Sequence, residues 1–156
     1  MNTLVVYYSR TGHNEVMAKQ LQAQVHGDLD QIVDLKRRES MFGSVASAIF
    51  RRKTRIEFAK DPAAYDRVIV VSPLWAGSLP PATRTYLAQH SGNMKHFAFL
   101  SVCGLGEENK KAVDDIASTA KQQPEATLLI KETDTESPLT HQKFAEFVEQ
   151  LPVFVN

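Results

Sequence analysis

The chain is poor in the residues that cross-link a fold. Cys103 is its single cysteine in 156 residues. That excludes an internal disulfide and fits a reducing compartment such as the cytoplasm. No group of cysteines and histidines has zinc-ligand spacing, so no metal site is expected. No apolar run approaches the roughly 20 residues of a membrane span. The N-terminus opens on a strand-like run with no basic stretch before it, so no signal peptide is expected. Neither sign of charge is in excess, with 18 Lys and Arg against 18 Asp and Glu. A chain without net positive charge, and without interleaved basic and aromatic residues, is not read as a nucleic-acid binder.

What is present suits one globular domain over residues 1–156, with 43% apolar and 23% charged residues. The charges are unevenly spread. Residues 1–60 carry ten Lys and Arg against six Asp and Glu. Most of that excess lies in one basic segment, with Lys36, Arg37, Arg38, Arg51, Arg52, Lys53 and Arg55 against Glu39. It reads as a solvated helix face and loop.

The chain is organised around Leu4–Asn14, LVVYYSRTGHN. An apolar run ends abruptly in small hydroxyl residues and a glycine, and an amphipathic segment, Glu15–Val25, follows at once. That order specifies a buried strand, a tight turn and a helix N-terminus. Ser9, Thr11 and Asn14 offer side-chain hydrogen bonds. Gly12 lets the backbone come close to a ligand. The first helical amides lack internal partners and carry the positive end of the dipole, so the turn is suited to an anion such as a phosphate. A plain capped helix, with Asn14 or Thr11 as the cap, is the alternative.

Val16, Met17, Ala18, Leu21 and Val25 form the apolar stripe of that helix, and Gly27 is expected to stop it. Asp30–Leu35 alternates like an outer strand. Between Lys36 and Ala64 the pattern is weak. Met41, Val45, Ala48, Ile49 and Phe50 can share one face of a short helix, and Asp61-Pro62 marks a turn. Arg67–Ser72 is a β-branched strand, followed by the loop Pro73-Leu74-Trp75-Ala76-Gly77-Ser78-Leu79-Pro80-Pro81 and a proline-opened helix, Ala82–His90. His96–Val102 is a fourth strand, ending at Cys103-Gly104-Leu105-Gly106. A helix from Glu107 to about Gln122 opens on two acidic residues and ends before Pro124. Ala126–Lys131 is a fifth strand. Ser137 caps a last helix opened by Pro138, with Phe144, Phe147, Val148 and Leu151 on one face.

Strand and helix thus alternate five times. That predicts an α/β fold, a doubly wound five-stranded parallel sheet of order 2-1-3-4-5 with helices on both faces. Ligands of such sheets bind beyond the carboxyl ends of the strands, near the switch point between the first and third. The turn at Ser9–Asn14, the loop at Pro73–Gly77 and the loop at Cys103–Gly106 all leave on that rim.

At this point the residues resemble the flavodoxin-like family. Tyr8-Ser9-Arg10-Thr11-Gly12-His13-Asn14 is similar to its phosphate loop, Ser72-Pro73-Leu74-Trp75-Ala76-Gly77 to its second flavin loop, and Ser101–Gly106 takes the place of the third. The resemblance implies non-covalent FMN. Ser9, Thr11 and Asn14 side chains and the Gly12 and His13 amides would hold the phosphate, with Arg10 and His13 near it. The ring would lie between Pro73-Leu74-Trp75-Ala76-Gly77 and Cys103, Gly104 and Gly106, with Trp75 stacking on it. This chain departs from the pattern in three ways. Asn14 stands where the family usually has Thr, the third loop has no aromatic, and the net charge is zero where electron-carrying flavodoxins are acidic. The resemblance implies an electron carrier that meets a redox partner protein. An FMN-dependent oxidoreductase using NAD(P)H and a quinone or similar acceptor is the first alternative, and a binding module without cofactor the second.

Overall fold

A computed structural model describes residues 1–36, 53–106 and 109–152. Strand β1, Thr3–Tyr7, is buried at all five positions. It leads through a short loop into helix α1, His13–Val25. Strands β2 (Asp28–Gln31), β5 (Arg67–Val71), β6 (His96–Cys103) and β7 (Thr127–Lys131) complete one sheet with β1. Its order is β2-β1-β5-β6-β7, and every pairing is parallel. In chain order this is the predicted 2-1-3-4-5. A separate antiparallel pair, β3 (Val33–Asp34) and β4 (Ile56–Glu57), lies beside it. The other described α-helices are α2 (Pro81–Gln89), α3 (Lys110–Ala120) and α4 (Pro138–Gln150).

Both faces of the sheet are covered because alternate residues of each strand point to opposite sides. Leu4, Val6, Val68, Val70, Phe97 and Phe99 pack with Ala82, Tyr86 and Leu87 of α2 and Ala112, Ile116 and Ala120 of α3. Val5, Tyr7, Ile69, Val71, Leu100 and Val102 pack with Met17, Ala18 and Leu21 of α1 and with Phe147 of α4. Two cores on one continuous sheet position the strand ends, and hence the loops that leave them.

Four sequence expectations are corrected. The strand expected over Asp30–Leu35 splits. β1 pairs with β2 only as far as Tyr7 opposite Gln31, and after Ile32 donates to the Tyr7 carbonyl at 2.8 Å no sheet partner remains. The chain then turns into β3, leaving Leu35 exposed. Val16 is 56% exposed, since it lies about 100° round the helix from Met17. The left-handed residue ending α1 is His26, with φ 49°. Gly27 is required for another reason: a Cβ there would stand 2.6 Å from the Thr3 carbonyl oxygen. Neither Asn14 nor Thr11 caps α1; the N-cap is Gly12, with φ 97° and no side-chain bond. The helical face expected at Met41–Phe50, the arginines Arg51 and Arg52, and the acidic pair Glu107 and Glu108 lie outside the described residues. Ser137 caps α4 as predicted, accepting from the Thr140 N–H at 3.1 Å.

Candidate functional site

The loops after β1, β5 and β6 meet around a cavity of about 240 Å³. Ten sequence-predicted residues line it: Arg10, Thr11, His13, Asn14, Pro73, Leu74, Trp75, Ala76, Cys103 and Gly104, joined by Val102 and Glu132. The other four are elsewhere. Gly12 lines a larger neighbouring cavity of about 420 Å³ between α1 and the start of α4. Ser9 opens onto a shallow one beside β3. Gly77 and Gly106 serve the backbone. A Cβ on Gly77 would lie 3.0 Å from the Asn109 Oδ1, and one on Gly106 3.1 Å from the Lys131 Cβ.

The first loop is organised locally. Ser9 Oγ accepts from the Gly12 N–H at 3.1 Å, three residues on. The first helical bond is from Val16 N–H to Gly12 O, 3.0 Å. The amides of His13, Asn14 and Glu15 therefore precede it at the positive end of the helix dipole. No atom lies within 4 Å of where a Gly12 Cβ would project, so the space in front of this turn is open.

Asn14 does something its sequence position did not reveal. It is 3% exposed. Its Nδ2 donates to the Val102 carbonyl at 3.0 Å, and its Oδ1 accepts from the Val102 N–H at 2.9 Å. Both polar atoms of the amide are therefore engaged with β6. Asn14 joins the first loop to the third, while its backbone N–H stays with the helix terminus. A threonine would have to serve both groups from the single oxygen of a shorter side chain, where the amide uses two separate atoms.

The second loop is a tight hairpin. Trp75 and Ser78 exchange both backbone bonds, at 2.9 and 3.0 Å, while Ala76 and Gly77 take φ 48° and 75°. Two successive positive φ values define a type I′ turn. The hairpin rests on a buried ion pair between α2 and α3. Arg84 donates in fork geometry to both Asp115 oxygens, at 2.8 and 2.7 Å. Asp115 also accepts from the Leu79 N–H and the Ser78 hydroxyl, each at 3.2 Å, and Arg84 donates to Ser78 Oγ at 2.9 Å. A sequence signal for this pair was missing, because 31 residues separate the partners.

Trp75 is half-buried, with its indole met edge-on by Tyr8 at 5.9 Å between centroids. The Arg10 guanidinium carbon stands 5.6 Å from the indole centroid, within cation–π range. On the cavity wall, His13 Nε2 lies 3.5 Å from Glu132 Oε1. Glu132 was not anticipated; it is in reach because β7 ends at Lys131 on the same rim. Cys103 is buried, yet forms part of the wall. Among the described residues no cluster of His, Cys, Asp or Glu could hold a metal ion, and no helix is long and apolar enough to cross a membrane.

No protein-family model matches the chain, and no curated protein matches it in sequence. Solved structures do resemble it. A Bacteroides eggerthii protein described as a flavoprotein superposes with a TM-score of 0.77 at 20% identity, covering 98% of this chain and 99% of that one. A Lactobacillus acidophilus flavoprotein, solved in complex with FMN, gives 0.72 at 19% identity over 92% of this chain and 98% of its own. A Streptococcus pneumonia flavodoxin gives 0.59 at 18% identity over 97% of each chain. At these identities the likeness establishes the fold, which is flavodoxin-like.

Proposed function

We propose that this chain binds FMN non-covalently in the cavity among the three loops and serves as an electron carrier for a redox partner protein. The observation that carries the reading is one of position. The free amides opening α1 and the single tryptophan border one cavity at the switch point of a doubly wound sheet. The donor set suits the group. A phosphate needs N–H and hydroxyl donors in open space. The turn offers the first amides of α1 and the Thr11 hydroxyl on the cavity wall, with open space before Gly12 beside it. Residues 8–14 include no carboxylate. Glu132, the acid among the described lining residues, has His13 beside it. The likeness to an FMN complex supports the same reading.

Bound FMN would supply the electron-transfer chemistry. The chain's own residues would bind and orient. The amides and hydroxyls hold the anion, Asn14 keeps the first and third loops in register, and the Arg84–Asp115 pair fixes the hairpin that presents Trp75. Purified protein should carry a visible flavin spectrum, or gain one on titration with FMN. Trp75 is the only tryptophan, so quenching of its fluorescence reports the ring directly. Protein that shows neither flavin absorbance nor any response to FMN would overturn the proposal.

A second reading is an FMN-dependent NAD(P)H oxidoreductase with a quinone or similar small acceptor. The exposed third loop favours it, since Gly104 and Leu105 lie open and residues 103–106 include no aromatic. Mixing holo-protein with NADPH separates the two. Rapid bleaching of the flavin supports the oxidoreductase; a flavin that stays oxidised until a reductase is added supports the carrier.

A further inference from the structure

We propose that Arg10 faces the flavin ring, not the phosphate, and raises the ring's reduction potential. The inference rests on the FMN reading above. By sequence alone, Arg10 could pair with the phosphate or point to solvent. The structure turns it the other way. The Arg10 guanidinium stands over the Trp75 indole, 5.6 Å from its centroid, and both residues line the 240 Å³ cavity. Tyr8 holds the indole from its edge. The Trp75 hairpin is anchored by buried groups on two helices, so the surface under the guanidinium is rigid. Among the described lining residues, the other charged groups are His13 and Glu132, whose Nε2 and Oε1 stand 3.5 Å apart.

This placement has a redox consequence. Two electrons and one proton convert the neutral oxidised ring into a reduced ring that bears negative charge at neutral pH. A guanidinium keeps its positive charge across the whole accessible pH range. Set beside the indole, it attracts the reduced ring more strongly than the oxidised one. By linkage, tighter binding of the reduced form raises the midpoint potential. A phosphate-facing arginine would strengthen both redox states equally and leave the potential unchanged.

The experiment is a spectroelectrochemical titration of holo-protein, with dithionite as the electron donor, on wild type, R10M and R10K. Oxidised-state affinities for FMN and riboflavin are measured alongside. R10M should lower the ratio of reduced to oxidised affinity about tenfold, a fall of about 30 mV for a two-electron couple. R10K, which keeps the charge, should recover most of that fall. FMN and riboflavin binding should weaken by similar factors in R10M. R10Q serves as a second neutral variant should R10M fold poorly. A midpoint in R10M and R10Q equal to wild type overturns the inference. So does a loss confined to FMN with riboflavin spared, which would return Arg10 to the phosphate. If wild type binds no flavin, the functional reading fails first. If it binds FMN and the midpoint does not move, only the role of Arg10 fails.

Discussion

The first and second loops leave neighbouring strands at the same rim, and they are held in opposite ways. The first is local. Ser9 reaches Gly12 three residues on, and the helix that follows provides the amides. The second is remote. Its type I′ hairpin is seated by a guanidinium from α2 and a carboxylate from α3, both about 5% exposed. A loop that grips an anion needs little beyond free N–H groups and open space, which a few consecutive residues supply. A loop that presents a flat aromatic face must be rigid, and rigidity comes from elements distant in sequence. Asn14 is where the two schemes touch, because its amide ties the local loop to β6, 88 residues away.

The sharpest way to break this contrast is to remove the remote support. Asp115→Ala leaves the Arg84 charge buried without its partner, and should destabilise the fold by about 3–5 kcal/mol. That lowers the melting temperature by roughly 2–4 °C for each kcal/mol, readable in a urea titration and a thermal melt. The double replacement Arg84→Met with Asp115→Leu should recover most of the loss, since no charge is then stranded. If the double variant is no better than the single one, the hairpin depends on the pair's hydrogen bonds rather than on charge balance.

Next in size is the bridge between the loops. Asn14→Ala strands the buried N–H and C=O of Val102 and should cost about 2–4 kcal/mol. Asn14→Thr should fall between wild type and Ala in a denaturant titration, because one oxygen on a shorter side chain must reach both groups. Full stability in the alanine variant would mean that the bridge is dispensable and the first loop stands alone.

A smaller effect should come from the turn itself. Ala76 holds φ 48°, a left-handed conformation that costs an alanine about 1–2 kcal/mol. Ala76→Asn creates the Asn-Gly pair favoured in type I′ turns and should stabilise by up to about 1 kcal/mol. A calorimetric melt with an unchanged or lower midpoint would argue against strain at this position.

The smallest expected effect concerns pH. His90 packs against Tyr86 and Phe58, at 4.7 and 5.1 Å between centroids, and burial pushes its pKa below the ordinary value. Its folded pKa lies below its unfolded one near 6.5, so the unfolded chain binds its proton first. The stability tied to neutral His90 is fully present above about pH 6.5 and is lost as pH falls toward the folded value. In His90→Gln, melting temperatures between pH 7 and 5 should therefore decline less steeply than in wild type. Parallel slopes would remove His90 from the acid response.

How legible the site was follows the same division. The five-strand order and the rim could be read directly, because strand and helix periodicities and turn residues are short-range signals; ten of the fourteen candidate residues line one cavity on that rim. What escaped was of three kinds. Gly27 looked like a helix stop and Gly77 like part of the second flavin loop, yet each is demanded by an atom from elsewhere, the Thr3 carbonyl and the Asn109 amide. Asn14 looked like a phosphate ligand or a cap, yet its hydrogen bonds go to a strand far along the chain. Arg84, Asp115 and Glu132 carried no pattern, since nothing in a helix heptad or a strand end marks which charge will be buried or which will meet a cavity.

Read alone, the chain determined that a doubly wound parallel sheet forms and that a helix terminus opens beside the first strand, since hydrophobic period and backbone stereochemistry act over a few residues. Only the folded molecule decided where Arg10 points, what Asn14 grips and how the Trp75 hairpin is seated. Those choices depend on which groups are brought within about 3 Å of one another, the range at which hydrogen bonds form, and that proximity exists only once the helices have packed.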